Sequence, residues 1–312
     1  VVATLGNGLS FTAKEAGRPL QTGVKPLDAS LRQIKGYKIR KVFPCSPERE
    51  KYHKQFGLDQ WYEISFDETI TPQEAKTLMG KTAGVEKATM KVPMKMLDDG
   101  NYSEAPAPQQ RASAAMPFND PRLPQQWHYN NDGSLAGAVP GADINLFKAW
   151  QVTTGSPNVV VAIIDGGIDY NHEDLKANMW VNEKELNGKP GVDDDGNGYI
   201  DDVYGFNFCA HNGTIYPHPH GTHVAGTVGA VNNNGIGVCG VAGGDGTPNS
   251  GVKLMSCQTY DSRQSVDKGD FAAALIYAAD MGATIAQCSW SWADPDYYES
   301  DVLDAVRYFT SA

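Results

Sequence analysis

The sequence lacks any long apolar run, and this absence excludes a membrane-spanning helix from the interpretation. No uninterrupted apolar stretch reaches the roughly 18 residues needed to cross a bilayer. The opening VVATLGNGLS has neither the basic start nor the apolar core of a signal peptide. Basic charge is also scarce, since 26 Lys and Arg stand against 37 Asp and Glu, for a net charge of −11. That balance opposes nonspecific binding to nucleic acid or anionic lipid, and we expect neither partner.

Cysteines are few, and their odd number prevents complete pairing in disulfides within the chain. The five are Cys45, Cys209, Cys239, Cys257 and Cys288. Apolar surroundings such as GVCGVAG favour buried thiols. Glycine and proline, by contrast, are plentiful at 33 and 18, and 41% of the residues are hydrophobic. The 312 residues therefore predict a loop-rich globular protein of about two domains.

Residues 36–97 have the pattern of a compact α+β domain. Two helix-like stretches alternate with three strand-like ones, GYKIRKVFP, QWYEISF and VEKATMKVPMKM. The first helix-like stretch is SPEREKYHKQFG, and the second begins with a capping box formed by Thr71 and Glu74. Residues 1–35 receive no assignment from the sequence.

Residues 98–117 predict an exposed linker, because Ala, Pro, Ser and Gln dominate and no hydrophobic period is present. Such a segment is easily cut. Residues 118–312 then form the second predicted domain, in which VVVAII at 159–164 is typical of a strand buried on both faces of a parallel sheet. Helix-like stretches alternate with strand-like ones beyond it. This alternation predicts an α/β domain with a doubly wound, mostly parallel sheet.

One carboxylate and three neighbouring histidines are candidates for chemistry. The apolar strand ends at Asp165, where open α/β sheets place their active sites; a helix cap or a turn is the alternative for this residue taken alone. In HGTHVAGTVGAV, His220 stands at the amino end of a helix, whose dipole favours the neutral imidazole that can accept a proton. A histidine-rich loop without function is one alternative. Another is zinc at His218, His220 and His223, although no Cys pair, HExxH motif or suitably spaced carboxylate completes that set.

The stretches IIDGGIDYNHEDL and HPHGTHVAGTV resemble the Asp and His signatures of the subtilisin family of serine peptidases, in the family's order. VNNNGIGVCGVA and CSWSW resemble later segments of the same family. The resemblance implies that Asp165 orients the imidazole and stabilises the imidazolium, and that His220 is the general base and later the acid. It also implies that a peptide substrate lies as an added strand along Ser289, Trp290 and Ser291. Simple packing of the tryptophans is the alternative there.

The chain departs from the family pattern at the nucleophile. Neither a GTSMA-like motif nor an AAGN-like oxyanion motif occurs in it. The FTSA at residues 309–312 has no glycine before Thr310, so Ser311 is not the expected nucleophile. We expect a sequence truncated before the catalytic serine, which is inactive alone because loss of the nucleophile lowers turnover on the order of a millionfold.

Calcium is the expected cofactor, because DDDGNGYIDD places oxygen ligands at alternating positions as an EF-hand loop does. The expected ligands are Asp193, Asp195, Asn197 and the carbonyl of Tyr199, with Asp201 or Asp202 closing the shell. The family resemblance implies a second calcium site. Its candidates are Gln126, Asp174, Asn233 or Asn234, and the carbonyls of Val231, Ile236 and Val238.

The front domain resembles the family's inhibitory propeptide in element order and position. This resemblance implies a zymogen-like serine endopeptidase with peptide or protein substrates, its own propeptide as intramolecular inhibitor and a maturation site in the linker. We expect the protein to be secreted or otherwise extracytoplasmic, because calcium sites of this type fill outside the cell, where the ion is abundant. A noncatalytic, calcium-dependent peptide-binding protein on the same fold is the alternative. A zinc hydrolase that uses the histidines is a second one.

Overall fold

The computed structural model describes residues 2–5, 22–36, 38–91, 94–96, 116–134, 137–261, 263, 269–292 and 298–311. These residues form a four-stranded antiparallel sheet, a four-stranded parallel sheet and a two-stranded ribbon. Most of the predicted linker, residues 98–115, lies outside the described residues. Among the helices of the described ranges, none combines the length and apolar character that crossing a bilayer requires.

The antiparallel sheet begins near the start of the chain. Its elements are β1 (Val2–Leu5), α1 (Lys25–Gln33), β2 (Lys38–Lys41), α2 (Glu50–Gln55), β3 (Trp61–Ser65), α3 (Pro72–Met79) and β4 (Val85–Thr89). The strand order β2-β3-β1-β4 makes β1 an inner strand, paired on both sides. Leu27 and Leu31 of α1 pack in the core of this unit. Residues that the sequence left unassigned therefore complete the front domain.

Two local predictions in this domain have different outcomes. The capping box is confirmed, since the side chain of Thr71 accepts from the amide of Glu74 and the Glu74 carboxylate accepts in return. The stretch predicted as one last strand instead holds two, β4 and β5 (Met94–Met96). Pro93 between them has no amide hydrogen for a sheet ladder. β5 leaves the front sheet and pairs antiparallel with β10 (Trp290–Trp292).

The parallel sheet confirms the predicted α/β class. Its domain contains α4 (Leu146–Ala149), β6 (Val160–Gly166), α5 (Glu183–Leu186), β7 (Gly205–Asn207), α6 (Pro219–Gly229), β8 (Lys253–Tyr260), α7 (Phe271–Asp280), β9 (Ile285–Cys288), β10 and α8 (Ser300–Phe309). The strand order is β7-β8-β6-β9, and all pairs are parallel.

Both faces of this sheet are covered. Ala162 and Ile164 of β6 point into a cluster with α7, whereas Val161 and Ile163 pack with Ala225 of α6. All four side chains are buried, and burial of each large aliphatic one stabilises the fold by about 1.5–3 kcal/mol. The continuous apolar run thus follows from a strand with helices on each side, as in a doubly wound sheet.

The front domain packs against α7 and α8. Phe43 and Trp61 lie in the same buried cluster as the apolar side chains of α7. The imidazole of His53 lies 2.7 Å from the carboxylate of Asp280 at the end of α7. Lys91 donates to Asp270, which caps the start of α7. Apolar and ionic contacts therefore join the two domains.

Candidate active site

Strand β6 delivers Asp165 to the carboxyl end of the parallel sheet. The neighbouring strands β8 and β9 hold β6 from both sides, and the Asp165 carboxylate is 1% exposed. Its Oδ1 accepts a hydrogen bond from the amide of Gly166 at 2.6 Å. Open parallel sheets present catalytic groups at this edge, so the strand places the acid where chemistry is expected.

Helix α6 delivers His220 to the same place. The helix begins at Pro219, and His220 lies in its first turn, 7% exposed. Nδ1 of His220 lies 2.7 Å from Oδ1 of Asp165. The two side chains that the sequence pairs are thus within hydrogen-bonding distance, despite the long loop that separates them in the chain.

Close contact between the two backbones brings the pair together. Gly167 and Pro217 form an isolated parallel bridge, and the amide of His218 donates to the carbonyl of Gly167 at 2.8 Å. A Cβ atom on Gly167 would lie 2.2 Å from the carbonyl oxygen of Tyr216. The glycines after Asp165 are therefore required by space, because any side chain would separate β6 from the start of α6.

Burial governs the electrostatics of Asp165. Burial raises the pKa of this carboxyl above its ordinary value, and the hydrogen bonds from His220 and Gly166 oppose the rise. Oδ2 of Asp165 is buried and has no hydrogen-bond partner within the described residues. An ionised Asp165 that accepts from Nδ1–H leaves the lone pair of His220 on Nε2, which is the arrangement of a general base.

The ribbon of β5 and β10 lies beside this pair. Cys288 at the end of β9 is opposite Ile164 in the parallel register, and β10 follows after Ser289. The indole of Trp290 donates to the carbonyl of Ile164 at 2.9 Å, which fixes β10 next to β6. Ser291 is opposite Lys95 of β5. The predicted substrate strand therefore already has an extended segment of the front domain on its edge.

Comparison with known sequences agrees with this geometry. The sequence model of the subtilase family (Peptidase_S8) matches residues 156–311, which include Asp165, His220 and β10. The chain belongs to the subtilase family. The predicted family resemblance is thereby confirmed.

Relatives of this subtilase include two proteases of known sequence. It is 44% identical over 225 residues to subtilisin-like protease 1 of Plasmodium vivax, across 65% of this chain and 34% of that protein. It is 31% identical over 206 residues to kexin of Saccharomyces cerevisiae, across 64% of this chain and 21% of kexin. The chain thus spans 34% and 21% of the length of these two curated relatives.

A solved structure shares the fold. Fervidolysin from Fervidobacterium pennivorans, described as a keratinolytic enzyme related to subtilisin, superposes with a TM-score of 0.53. The match covers 99% of this chain and 40% of that chain at 17% sequence identity. At that identity the likeness supports the subtilisin-like fold alone.

The three neighbouring histidines His218, His220 and His223 do not form a metal-ligand group. Nδ1 of His218 accepts from the amide of His220, whose own Nδ1 faces Asp165, and the carbonyl of His223 accepts from Thr227. Within the described ranges, the one set of three or more ligating side chains in mutual reach is acidic and contains no histidine. The geometry gives the zinc alternative no support.

That acidic set, the three-carboxylate cluster, consists of Glu185, Asp195 and Asp202, whose ligand atoms lie within 4.8 Å of one another. The side-chain amide of Asn197 donates to both Asp195 and Asp202. The hydroxyl of Tyr277 donates to Asp202 at 2.7 Å. Burial, with a contribution from the other two carboxylates, raises the pKa of Asp202 to about 7.

The structure divides the predicted loop ligands into two groups. Asp193 accepts from the amides of residues 196–198, and Asp201 accepts from the amide of Gly191. These two carboxylates therefore support the loop backbone, whereas Asp195 and Asp202 face each other. Glu185 joins them from α5, and the sequence pattern missed it because it precedes the loop.

The predicted ligands of the second calcium site also have hydrogen-bond partners in the structure. Asp174 accepts from the Asn234 amide at 2.8 Å and from the Val238 backbone at 3.0 Å. Both ends of the Gln126 amide instead bond to the backbone of Cys239. Burial raises the pKa of Asp174, and the charge of Asp120 adds to this rise.

Other candidates for that site have different neighbours. The Asn233 side chain bonds to the backbones of Asn119 and Asp245. The Ile236 amide donates to Asn234, and the Val231 amide donates to the carbonyl of Asp174. Asp120, which sequence reasoning missed, is 3% exposed, and its Oδ1 has no hydrogen-bond partner in the described ranges.

Proposed function

We propose that this chain carries the acid and the base of a subtilisin-type serine endopeptidase. The 2.7 Å contact between Nδ1 of His220 and Oδ1 of Asp165 is the observation that carries the proposal. Asp165 keeps the proton on Nδ1, so that Nε2 can take the proton of a serine hydroxyl as that oxygen attacks the peptide carbonyl. His220 then gives this proton to the leaving amine, and Asp165 stabilises the intervening imidazolium. The family's GTSMA-like and AAGN-like motifs, which supply the serine and one oxyanion donor, do not occur among these 312 residues.

The proposed substrates are peptides that add a strand to the edge of β10. Backbone pairing there would supply affinity, and the flanking Ser289, Trp290 and Ser291 would shape the pockets. The antiparallel pairing of β5 with β10 supports this proposal, because it shows that the edge accepts an extended chain. The same pairing supports a zymogen-like form in which the front domain is the intramolecular inhibitor. Cleavage in the linker at residues 98–117 and an extracytoplasmic location complete the proposal.

Processing of the linker tests the function in the protein that also contains the serine. His220→Ala should leave the linker uncut, whereas His223→Ala, on the same helix, should mature normally. Electrophoresis and mass spectrometry of the products measure the outcome. Normal maturation of His220→Ala would overturn the proposal. If the unaltered protein bound peptides but did not hydrolyse them, the alternative of a noncatalytic, calcium-dependent binding protein would replace the peptidase proposal.

We also propose that the three-carboxylate cluster holds calcium. Oxygen ligands suit this ion, and the three carboxylates, whose ligand atoms lie within 4.8 Å of one another, concentrate negative charge. A divalent cation would neutralise part of this charge and join Asp195 and Asp202 of the loop to Glu185 of α5. Calcium should therefore raise the melting temperature relative to chelator, and Glu185→Gln should remove most of that rise. Asp194→Asn is the control, since Asp194 is exposed and outside the cluster. An equal calcium response in all three proteins would refute the site.

The second calcium site is proposed with a changed ligand set. Asp174 and the orphaned Oδ1 of Asp120 fit a cation, whereas the amide of Gln126 is already bonded at both ends. Asp120→Asn should lower the calcium affinity of this site more than Gln126→Glu changes it. Isothermal titration of the Glu185→Gln protein would isolate the site. Equal affinity in the Asp120→Asn protein would exclude Asp120.

A further inference from the structure

His218 caps the helix that carries His220. Its Nδ1 accepts a hydrogen bond from the backbone amide of His220 at 3.2 Å, and its own amide donates to the carbonyl of Gly167. Caps at helix starts are usually Ser, Thr, Asp or Asn, whose oxygens accept at any ordinary pH. An imidazole accepts through Nδ1 only while that nitrogen is unprotonated. The cap at this helix therefore depends on the protonation state of a side chain.

The same ring also contacts the strand that carries Asp165. A Cβ atom on Gly166 would lie 2.6 Å from Cβ of His218 and 3.0 Å from its Nδ1, so the ring packs directly on the Gly166 backbone. The amide of Gly166 donates to Asp165. The His218 side chain thus accepts from the amide of His220 and covers Gly166, whose amide donates to Asp165.

Several ionisable groups surround His218. Asp165 faces it from β6, His220 from α6, and Asp261 follows β8; a charge on His218 lowers the pKa of both carboxyls. The ring of Tyr260 meets it edge to face at 5.6 Å. Arg263 pairs with Asp261. Protonation of His218 is therefore electrostatically tolerated by its carboxylate neighbours, but it removes the acceptor of the helix cap.

We propose that His218 is a positioning residue whose neutral imidazole fixes His220 against Asp165 and whose protonation releases this hold. The inference rests on the proposed peptidase function, in which His220 must present Nε2 to the nucleophile. Protonated His218 has a hydrogen on Nδ1 and cannot accept the His220 amide. Its positive charge also lies at the amino end of α6, where the helix dipole disfavours cations. Protonation of His218 then lowers activity at low pH, because His220 loses its fixed orientation.

Kinetics of the protein that contains the serine test the proposal. His218→Ala should lower kcat about tenfold with little change in KM, since the lost contact orients the base and does not bind substrate. His218→Asn should recover most of kcat, because its side-chain oxygen accepts the same amide without titrating. The acid limb of log kcat/KM against pH should be steeper in the unaltered protein than in His218→Asn, because only the unaltered protein loses the cap on protonation. Unaltered kcat in His218→Ala, or an unchanged limb in His218→Asn, would overturn the role of His218.

Nuclear magnetic resonance of this chain separates the two proposals. With 15N-labelled histidine, neutral His218 should carry its proton on Nε2, and the His220 amide should exchange with solvent faster as His218 becomes protonated. A neutral His218 with its proton on Nδ1 overturns the cap whether or not the protein is a peptidase. If instead His220→Ala retains full activity while His218 shows the expected tautomer, the peptidase proposal fails and the cap itself stands. The His218→Asn protein keeps the test valid if His218→Ala does not fold.

Discussion

Gly221 lies so close to Gly166 that a Cβ atom on Gly221 would be 2.0 Å from the Gly166 carbonyl oxygen. Real Cβ atoms do not approach an oxygen this closely, so the first turn of α6 and the end of β6 can meet only without a side chain here. This contact sets the spacing between the two elements that carry His220 and Asp165. The glycine in HGTH is therefore a packing requirement of the site.

Two glycines of the same helix predict opposite effects. Gly221→Ala should lower the free energy of unfolding by about 2 kcal/mol or more, because α6 must move away from β6. Gly226→Ala should raise it by about 0.5–1 kcal/mol, because alanine favours the helix and nothing lies within 4 Å of the new methyl group. Urea unfolding of both variants measures the difference. Equal destabilisation by both would show that general crowding, and not the Gly166 contact, determines the result.

Loss of the buried ion pair between the domains should lower the free energy of unfolding more than loss of an exposed pair. Asp270 is 1% exposed and accepts from Lys91 at 2.7 Å; burial alone would lower the pKa of Lys91, but Asp270 and Glu63 raise it. Lys91→Met should reduce the free energy of unfolding by about 3 kcal/mol, since Asp270 loses its direct partner.

The matched control for that pair is Lys87→Met. Lys87 pairs with Asp304 at 3.1 Å, but its side chain is 51% exposed. Exposed pairs contribute about 0–1 kcal/mol, so this change should be small. If denaturant unfolding gave the same loss for Lys87→Met and Lys91→Met, the buried pair would have no special role in holding the domains together.

Burial of Asp301 should make the free energy of unfolding depend on pH. It is 1% exposed, and burial followed by the charge of Asp270 raises its pKa to about 6 from the ordinary value of 3.8. Between these values the folded chain holds a proton that the unfolded chain has released. The contribution of Asp301 to the free energy of unfolding therefore falls as pH rises from about 4 to 6, by up to about 3 kcal/mol.

Removal of the charge tests this sign. Asp301→Asn should raise the unfolding free energy at pH 7 by about 1–3 kcal/mol and flatten its dependence between pH 4 and 6. Asp304→Asn on the same helix should not, because Asp304 pairs with Lys87 and Arg307. Thermal unfolding at several pH values compares the two variants. A loss of stability at pH 7 with Asp301→Asn would contradict the burial argument.

Local patterns located Asp165 and His220, whereas non-local contacts determined what the patterns missed. Asp165 ends an apolar strand, and His220 begins a helix with small residues, so each position could be predicted from its neighbours in sequence. β1 has four residues, too few for a hydrophobic period, and only its pairing with β3 and β4 identifies it. Likewise, Glu185 joins Asp195 and Asp202 from another element, so no spacing rule within the loop could include it.

Side-chain competition explains the remaining differences. Asp193 occupies the first position of the loop pattern, but three backbone amides take its carboxylate. Gln126 has the right chemistry for a calcium ligand, but the backbone of Cys239 occupies both ends of its amide. A sequence shows which atoms a residue offers, whereas the fold decides which partner reaches them first.

The tautomer of His220 tests the proposed catalytic pair most directly, and it can be measured in this chain without the serine. With 15N-labelled histidine, nuclear magnetic resonance identifies which ring nitrogen carries the proton in the neutral form. The 2.7 Å contact with Asp165 predicts a proton on Nδ1 and a free lone pair on Nε2, with Asp165→Ala moving the equilibrium toward Nε2–H. A neutral His220 with its proton on Nε2 in the unaltered chain would contradict the assignment of this residue as the general base.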